Sequence, residues 1–151
     1  PTTNGDYAAL AEVRQAIRPT KTMADDIVFD LVHARECIRN DACDVISVYP
    51  GKNGGIRKCC EIVKLAEQNG VACSIGSNLE FDIGTAAMCH LAIANENVKL
   101  DEFPGDILGP DYHEVSVVKD PIRIEGPFVE ITDRPGLGVE VDWDVVEKHR
   151  L

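Results

Sequence analysis

The sequence lacks the features of membrane, secreted and nucleic-acid-binding proteins. No apolar stretch approaches the roughly 18 residues that a membrane-spanning helix needs. The first residues, Pro-Thr-Thr-Asn-Gly, contain no basic region followed by an apolar one, so no signal peptide is predicted. Basic residues are scarce: 15 lysines and arginines stand against 26 aspartates and glutamates in 151 residues, a net charge of −11. Since such a surface repels phosphate backbones, we expect neither a nucleic-acid nor a membrane partner.

The six cysteines lack the spacing of a metal or redox motif. None are paired as C-x-x-C, so zinc ribbons and thioredoxin-type motifs find no support. An even number would allow disulfides, but most of these cysteines lie in apolar helix or strand patterns, where a free thiol behaves as a small hydrophobic group. We therefore expect reduced cysteines and a cytoplasmic protein.

Three strand-then-helix units are predicted in the first hundred residues, after a helix over 6–17. Strands are predicted at 21–24, 44–48 and 71–75, and helices at about 31–39, 56–68 and 83–94. The strand starts lie about 22 to 27 residues apart, which implies parallel strands with right-handed helical crossovers. The pattern alone allows an open doubly wound sheet or an arc of a (β/α)8 barrel. A complete barrel needs about 250 residues, so this chain can only be part of one.

The pattern changes after Asn95. We predict a loop over 101–111 and a hairpin around Glu125-Gly126-Pro127. A turn at 134–138 is followed by a last helix from Trp143 to about His149, in which the tryptophan is expected to be a packing anchor. This tail does not form another strand-helix unit.

Candidate functional residues follow each of the three predicted strands. They are Asp25 and Asp26 after the first strand, Tyr49 and Lys52 after the second, and Ser77, Asn78 and Glu80 after the third. Functional side chains of parallel α/β folds gather at this edge of the sheet. This rim would carry carboxylates, a cation and hydroxyls. Such a set of groups favours a site for Mg²⁺ together with a carboxylate substrate.

Simpler interpretations exist for the same residues. Asp25 or Asp26 could cap the following helix, which spacing alone favours over metal binding. Glu80 could be a solvated loop carboxylate and Lys52 a surface lysine. The glycines at 51–55 hint at anion binding by backbone N–H groups. However, the segment has neither the G-x-x-x-x-G-K-[ST] nor the G-x-G-x-x-G spacing of phosphate-binding loops. It therefore predicts a strand-to-helix turn. The four histidines share no metal-like spacing, and we expect them to be structural or exposed.

A series of short motifs resembles a known family. In chain order these are Met-Ala-Asp25-Asp26-Ile-Val, Asp44-Val-Ile-Ser-Val, Gly54-Gly55-Ile, Ser77-Asn-Leu-Glu80, Gly84-Thr-Ala-Ala and Pro135-Gly-Leu-Gly138-Val-Glu. Together they resemble the C-terminal half of the mandelate racemase/muconate lactonizing branch of the enolase superfamily. The resemblance covers nearly the whole chain.

The resemblance implies a fold and a metal site. Such enzymes have a modified (β/α)7β barrel, a TIM-like barrel, and an α+β capping domain built from both chain ends. Mg²⁺ is held there by three carboxylates, and Asp25 matches the third of them. Glu80 matches an acidic residue that hydrogen-bonds near the substrate, with Ser77 and Asn78 as substrate-binding neighbours. The Pro135–Gly138 turn matches the return of the chain to the capping domain.

Two departures from the family pattern bear on the chemistry. Pro1 matches the proline just after the second metal carboxylate, so the first two ligands and a Lys-x-Lys pair are expected upstream, in a half of the enzyme missing from this chain. The family usually has a lysine 24 residues after the aspartate, where this sequence has Tyr49. A phenol with a pKa of about 10 is a poorer base than a tuned lysine. This disfavours two-base racemisation and leaves one-base cycloisomerisation or dehydration, with Tyr49, Lys52 and Glu80 as the catalytic candidates.

The resemblance also implies an organisation into two parts. Residues 1–100 would form the C-terminal half of the barrel, with strands 5–7, and residues 101–151 the last strand region and the return segment. We expect a homo-oligomer that acts on a small carboxylic acid. The alternatives are a stand-alone α/β module that binds a small ligand, and an inactive relative without catalysis.

Overall fold

A three-stranded parallel sheet forms the centre of the fold. The computed structural model describes residues 2–150, so the predicted match at Pro1 lies outside the described residues. The strands are β1 (Met23–Ala24), β2 (Val45–Val48) and β3 (Ala72–Ile75), in the order β1-β2-β3. Ala24 lies opposite Ile46, and Ile46 opposite Cys73, all in parallel register. The α/β class and the parallel arrangement predicted from the sequence are therefore confirmed.

Helices precede, connect and follow the strands. α1 (Tyr7–Ala16) lies before β1, and α2 (Leu31–Arg39) connects β1 to β2. The one-turn α3 (Pro50–Asn53) and α4 (Ile56–Gln68) connect β2 to β3, and α5 (Asp82–Ile93) follows β3. The predicted apolar periodicity of α4 buries Cys59, Ile62, Val63 and Ala66. Gly70, just after this helix, has a φ of +69°, a value that glycine adopts without a steric cost.

Two local predictions were wrong. Residues 51–55 were predicted as a simple strand-to-helix turn, but Pro50–Asn53 forms a one-turn helix, α3. A proline fits the first turn of a helix because its missing N–H has no partner there, and Gly54 ends the turn in the left-handed conformation. The first strand is shorter than predicted, because only Met23 and Ala24 pair with β2.

The sheet continues beyond β3 through a single parallel bridge between Cys73 and Val98. The N–H of Cys73 donates to Asn97 O at 2.9 Å and that of Lys99 to Cys73 O at 2.8 Å. The chain then passes through a one-turn 3₁₀ helix (Gly109–Tyr112).

The tail contains the predicted hairpin. Its strands are β4 (Arg123–Glu125) and β5 (Phe128–Glu130), and it is followed by α6 (Trp143–Lys148). Asp142 caps α6 by accepting from Asp144 N at 3.1 Å and Val145 N at 3.2 Å. Trp143, predicted to be a packing anchor, is 66% exposed and is not one in this chain.

The hydrophobic core lies between the sheet and the helices. The buried aliphatic residues of β2 are Val45, Ile46 and Val48, and Leu91 and Met88 of α5 are almost fully buried. The six cysteines are free thiols, and all except Cys60 are buried. They fill space in the core as small apolar side chains. Among the described residues no helix has the length and apolarity needed to cross a membrane.

Candidate active site

Asp25 begins the site, directly after β1. Its side chain is 54% exposed. The sequence left open whether Asp25 or Asp26 caps α2. The structure excludes both, because the cap is Asp30, whose Oδ1 accepts from Val32 N and His33 N at 2.9 Å each. The Asp25 carboxylate is thus not engaged by a helix end.

Lys52 reaches Asp25 from α3. Its Nζ donates to Asp25 Oδ1 at 2.7 Å, to Asp25 O at 3.0 Å and to Ser47 O at 3.0 Å. Three acceptors match the three donors of an ammonium group. The side chain is only 3% exposed, so Lys52 is not the surface lysine that its type suggested. In this arrangement its charge faces Asp25, and its contact with a substrate would be indirect.

Tyr49 ends β2 beside these two residues. Lys52 Nζ lies 4.5 Å from the centre of the Tyr49 ring, and the phenol oxygen is 3.5 Å from Asn78 Oδ1. Burial, followed by the nearby charges of Asp25, Asp26 and Glu80, raises the pKa of Tyr49 to about 12. At neutral pH the hydroxyl therefore keeps its proton and can donate a hydrogen bond.

The loop after β3 holds Glu80 in a defined position. Its Oε2 accepts from Ser77 Oγ at 2.7 Å and from Asn78 N at 2.9 Å. Its Oε1 is buried and has no hydrogen-bond partner among the described residues. Glu80 is therefore not simply a solvated loop carboxylate, since one oxygen is tied to the loop and the other is buried without a hydrogen-bond partner among the described residues.

Two glycines allow these groups to approach one another. A Cβ on Gly76 would overlap Ser47 Oγ and would lie 2.7 Å from the Tyr49 ring. A Cβ on Gly51 would lie 3.2 Å from Glu80 Oε1. The absence of side chains at both positions lets the ends of β2 and β3 come together with the Tyr49 ring and Glu80 between them.

A further carboxylate on this rim was missed in the sequence. The N–H of Asp106 donates to Ile75 O at 2.9 Å, which places Asp106 beside the end of β3. It is exposed, like Asp25 and Asp26. The available signal was its position in a proline- and glycine-containing loop, but the pairing of that loop with β3 is not visible in a local pattern.

The described residues supply part of a metal site. Residues 2–150 contain no group of three or more histidine, cysteine, aspartate or glutamate side chains that could hold an ion. Asp25 has the chemistry of one ligand of a hard cation, since its Oδ2 accepts no hydrogen bond from the described residues. It also lines a cavity of about 280 Å³ at the free edge of β1, with Asp26, Met23 and Asn4.

Comparison with known proteins places this geometry in a family. The family described as "Enolase C-terminal domain-like" matches residues 1–145. The chain belongs to the enolase superfamily. Its sheet is an arc of the TIM-like barrel in the C-terminal half of the mandelate racemase/muconate lactonizing enzymes, as the sequence predicted.

Curated relatives within the superfamily include enzymes of several reactions. Muconate cycloisomerase 1 of Rhodococcus opacus is 35% identical over 147 residues, which are 97% of this chain and 38% of that protein. L-Ala-D/L-Glu epimerase of Bacillus subtilis is 30% identical over 139 residues, 92% of this chain and 37% of that protein. The chain thus spans less than two-fifths of the length of these enolase-superfamily enzymes.

Solved structures agree. A substrate-liganded complex of the Bacillus subtilis L-Ala-D/L-Glu epimerase has a TM-score of 0.85 at 30% identity, covering 94% of this chain and 38% of that one. A 2-chloromuconate cycloisomerase from Rhodococcus opacus 1CP has a TM-score of 0.92 at 23% identity, covering 100% and 40%. The second likeness concerns the fold alone.

Proposed function

We propose that this chain is the C-terminal portion of a Mg²⁺-dependent enzyme that removes the proton α to a carboxylate, as a cycloisomerase or a dehydratase of a small carboxylic acid. One observation supports this choice most directly. At the end of β2, where a second base would stand, a buried tyrosine keeps its proton with a pKa of about 12. A group that stays protonated can donate a hydrogen bond but cannot remove a proton at neutral pH.

The metal role of Asp25 rests on its donor chemistry and exposure. Removing an α-proton places a second negative charge on the substrate carboxylate, and a bound divalent cation would supply most of its stabilisation. Asp25 would contribute one ligand, and the remaining ligands and the base are expected from the upstream half of the protein. Lys52 would keep the Asp25 carboxylate in place through its 2.7 Å ion pair.

Tyr49 and Glu80 would act on the substrate from the adjacent strand ends. The Tyr49 hydroxyl would donate to the substrate carboxylate or to the leaving group. Glu80 Oε1, which is buried and unpaired among the described residues, would accept a hydrogen bond from the substrate. Ser77 and Asn78 keep Glu80 in this orientation and line the same side.

The organisation of the complete protein follows from the same proposal. Residues 1–100 would supply barrel strands 5–7, and residues 101–151 the last strand region and the segment that returns to the capping domain. The upstream half would complete the barrel, and the assembled enzyme would form a homo-oligomer.

Proton exchange in D₂O tests the reaction. The longest natural polypeptide containing this chain is incubated with Mg²⁺ and enantiopure small carboxylic acids that carry a hydroxyl or a lactone oxygen on the β-carbon, and the α-proton is followed by ¹H NMR. We expect loss of the α-proton from one enantiomer and formation of a double bond as the β-oxygen leaves, either as water in a dehydration or by opening of the lactone in the reverse of a cycloisomerisation, and no reaction with EDTA. Inversion of both enantiomers at the α-carbon would contradict the one-base proposal.

The substitution at Tyr49 also favours a second candidate, an inactive relative. In that case the same polypeptide would bind Mg²⁺ in isothermal titration calorimetry but would exchange no α-proton. A Tyr49→Lys variant separates the two candidates further. Proton exchange that appears only after a lysine is introduced would support the inactive relative.

A further inference from the structure

The 3₁₀ helix Gly109–Tyr112 and the next residue, His113, lie against the loop that carries Glu80. We call residues 109–113 the strap. The strap is separated from Glu80 by about 30 residues of sequence, and the proposed chemistry does not use any of its side chains. Its contacts are concentrated on the loop backbone between Leu79 and Phe81.

His113 contacts the loop in two ways. Its Nε2 lies 2.8 Å from Leu79 O. Because a carbonyl oxygen only accepts, Nε2 must carry the proton and donate it. The His113 ring also stacks on Phe81, with 3.7 Å between ring centres and 16° between planes. The two residues flanking Glu80 are thus both held by one side chain.

Gly109 makes the closest approach to Glu80 itself. A Cβ at this position would overlap Glu80 O and would lie 2.8 Å from Glu80 N. Gly109 is buried. Its φ lies outside the left-handed region, so the requirement for glycine here comes from the space that Glu80 occupies and not from backbone conformation.

The loop needs such support because its conformation is strained. Leu79 has a φ of +60°, which is costly for a residue with a branched side chain. This turn lets Leu79 N donate to Ser77 Oγ at 2.7 Å while the Ser77 hydroxyl donates to Glu80 Oε2. A strained turn persists only where its surroundings hold it. The strap supplies contacts from outside the loop, together with Thr85 Oγ1 of α5, which donates to Glu80 O at 3.3 Å.

We propose that the strap orients Glu80, with His113 and Gly109 as positioning residues that keep Oε1 free to face the substrate. The proposal rests on the proposed function for the role of Glu80. The claim that the strap holds the loop conformation depends only on the contacts of the strap.

Four variants of the longest natural polypeptide containing this chain test the strap. His113→Phe retains the stacking on Phe81 and removes the donor, whereas His113→Gln retains a donor. Gly109→Ala introduces the overlap with Glu80. Tyr112→Ala is the matched control, because this strap residue is 62% exposed. Hydrogen–deuterium exchange of residues 77–81 and steady-state kinetics are measured for each variant.

We expect exchange at the Asn78 and Leu79 amides to increase about tenfold or more in His113→Phe and in Gly109→Ala, and to be unchanged in Tyr112→Ala. The kcat should fall by about tenfold or more with KM changed by less than about threefold, and His113→Gln should restore most of it.

Unchanged exchange in His113→Phe would overturn the proposal, whether or not Gly109→Ala folds. Increased exchange with an unchanged kcat would overturn the positioning role. If the unsubstituted protein turns over no substrate, the proposed function fails, and the exchange measurement still decides whether the strap holds the loop.

Discussion

At the scale of single residues, the site is organised by charges that the sequence places far apart. Lys52 and Asp25 are 27 residues apart, and their ion pair is 2.7 Å long. Tyr49 lies between them and Glu80, and the three surrounding carboxylates contribute to its raised pKa. The expected consequence is a site with three roles. One carboxylate binds a cation, one ammonium group orients that carboxylate, and one phenol donates a hydrogen bond.

Replacing Asp25 by Asn tests the metal ligand. The amide oxygen is a weaker ligand for Mg²⁺ than a carboxylate, so we expect affinity to fall by at least about tenfold and proton exchange to be lost. Isothermal titration calorimetry with Mg²⁺ on the longest natural polypeptide measures this. Asp101→Asn, at another exposed aspartate, is the control. Unaltered affinity in Asp25→Asn would refute the assignment.

Replacing Lys52 by Met tests the ion pair. The variant keeps the apolar stem but leaves Ser47 O without the Lys52 hydrogen bond and removes the charged partner of Asp25. We expect a loss of about 1–3 kcal/mol in the free energy of unfolding, measured by urea denaturation. Lys58→Met, at a residue whose side chain is 60% exposed, should cost less than about 0.5 kcal/mol. Equal losses of unfolding free energy in the two variants would show that the burial of Lys52 contributes nothing to stability.

At the scale of elements, β2 is anchored at both ends by charged residues. At its carboxyl end Lys52 of α3 donates to Ser47 O at 3.0 Å. At its amino end Asp44 accepts from Arg14 Nη2 and from Thr22 N at 2.9 Å each. This second cluster has a structural role, because it holds α1 and β1 against the start of β2.

The Asp44 cluster predicts a dependence of stability on pH. Burial would raise the pKa of Asp44, but hydrogen bonds from Arg14 and Thr22 and the nearby positive charges outweigh it and hold the pKa well below its usual range. A carboxyl group with a lowered folded pKa stabilises the fold above its unfolded pKa of about 3.9, and this contribution is lost as pH falls further.

We therefore expect Asp44→Asn to lower the free energy of unfolding by about 2–3 kcal/mol at pH 7 and by roughly 1 kcal/mol less near pH 3, with the remaining difference lost at still lower pH. Urea denaturation at several pH values measures the difference. Asp120→Asn, in an ion pair with Arg134 whose aspartate side chain is 69% exposed, should show almost no effect. A cost for Asp44→Asn that is constant between pH 3 and 7 would contradict this explanation.

The tail is attached to the barrel arc through Asp82, the first residue of α5. This carboxylate is 1% exposed, and it accepts from Ser116 Oγ and from Ile122 N at 3.0 Å each. An asparagine has one accepting oxygen where aspartate has two, so its amide group cannot accept both hydrogen bonds. We expect Asp82→Asn to increase deuterium uptake of residues 116–122 without changing that of β2. Uptake that stays the same would show that other contacts hold the tail.

At the scale of the whole molecule, the free edge of β1 is the least protected part of the sheet. β1 pairs with β2 on one side only, and Met23 is 44% exposed beside a cavity at that edge. Unpaired edges promote association between chains. We expect residues 1–151 expressed alone to aggregate, and co-expression with the proposed upstream half to give a defined species in light scattering. A stable monomer of residues 1–151 would contradict this prediction.

The sequence by itself determined the order of the longer helices and of the strands, and the three strand ends. Helix periodicity, the capping of α6 by Asp142 and the spacing of the strands are local, so a single sequence is enough to predict them. The family motifs surrounding Asp25 and Glu80 are short and contiguous for the same reason. The composition of the Tyr49–Gly55 segment did not reveal α3, because one turn of helix depends on its neighbours.

Only the tertiary structure decided which of these residues meet. Three contacts join residues that are 27 or more positions apart in the sequence. They are the pairing of Lys52 with Asp25, the support of the Glu80 loop by His113 and the position of Asp106 beside β3. Such contacts depend on strand register and on the path of the connecting segments. Those are properties of the packed sheet, and a local pattern of residues does not contain them.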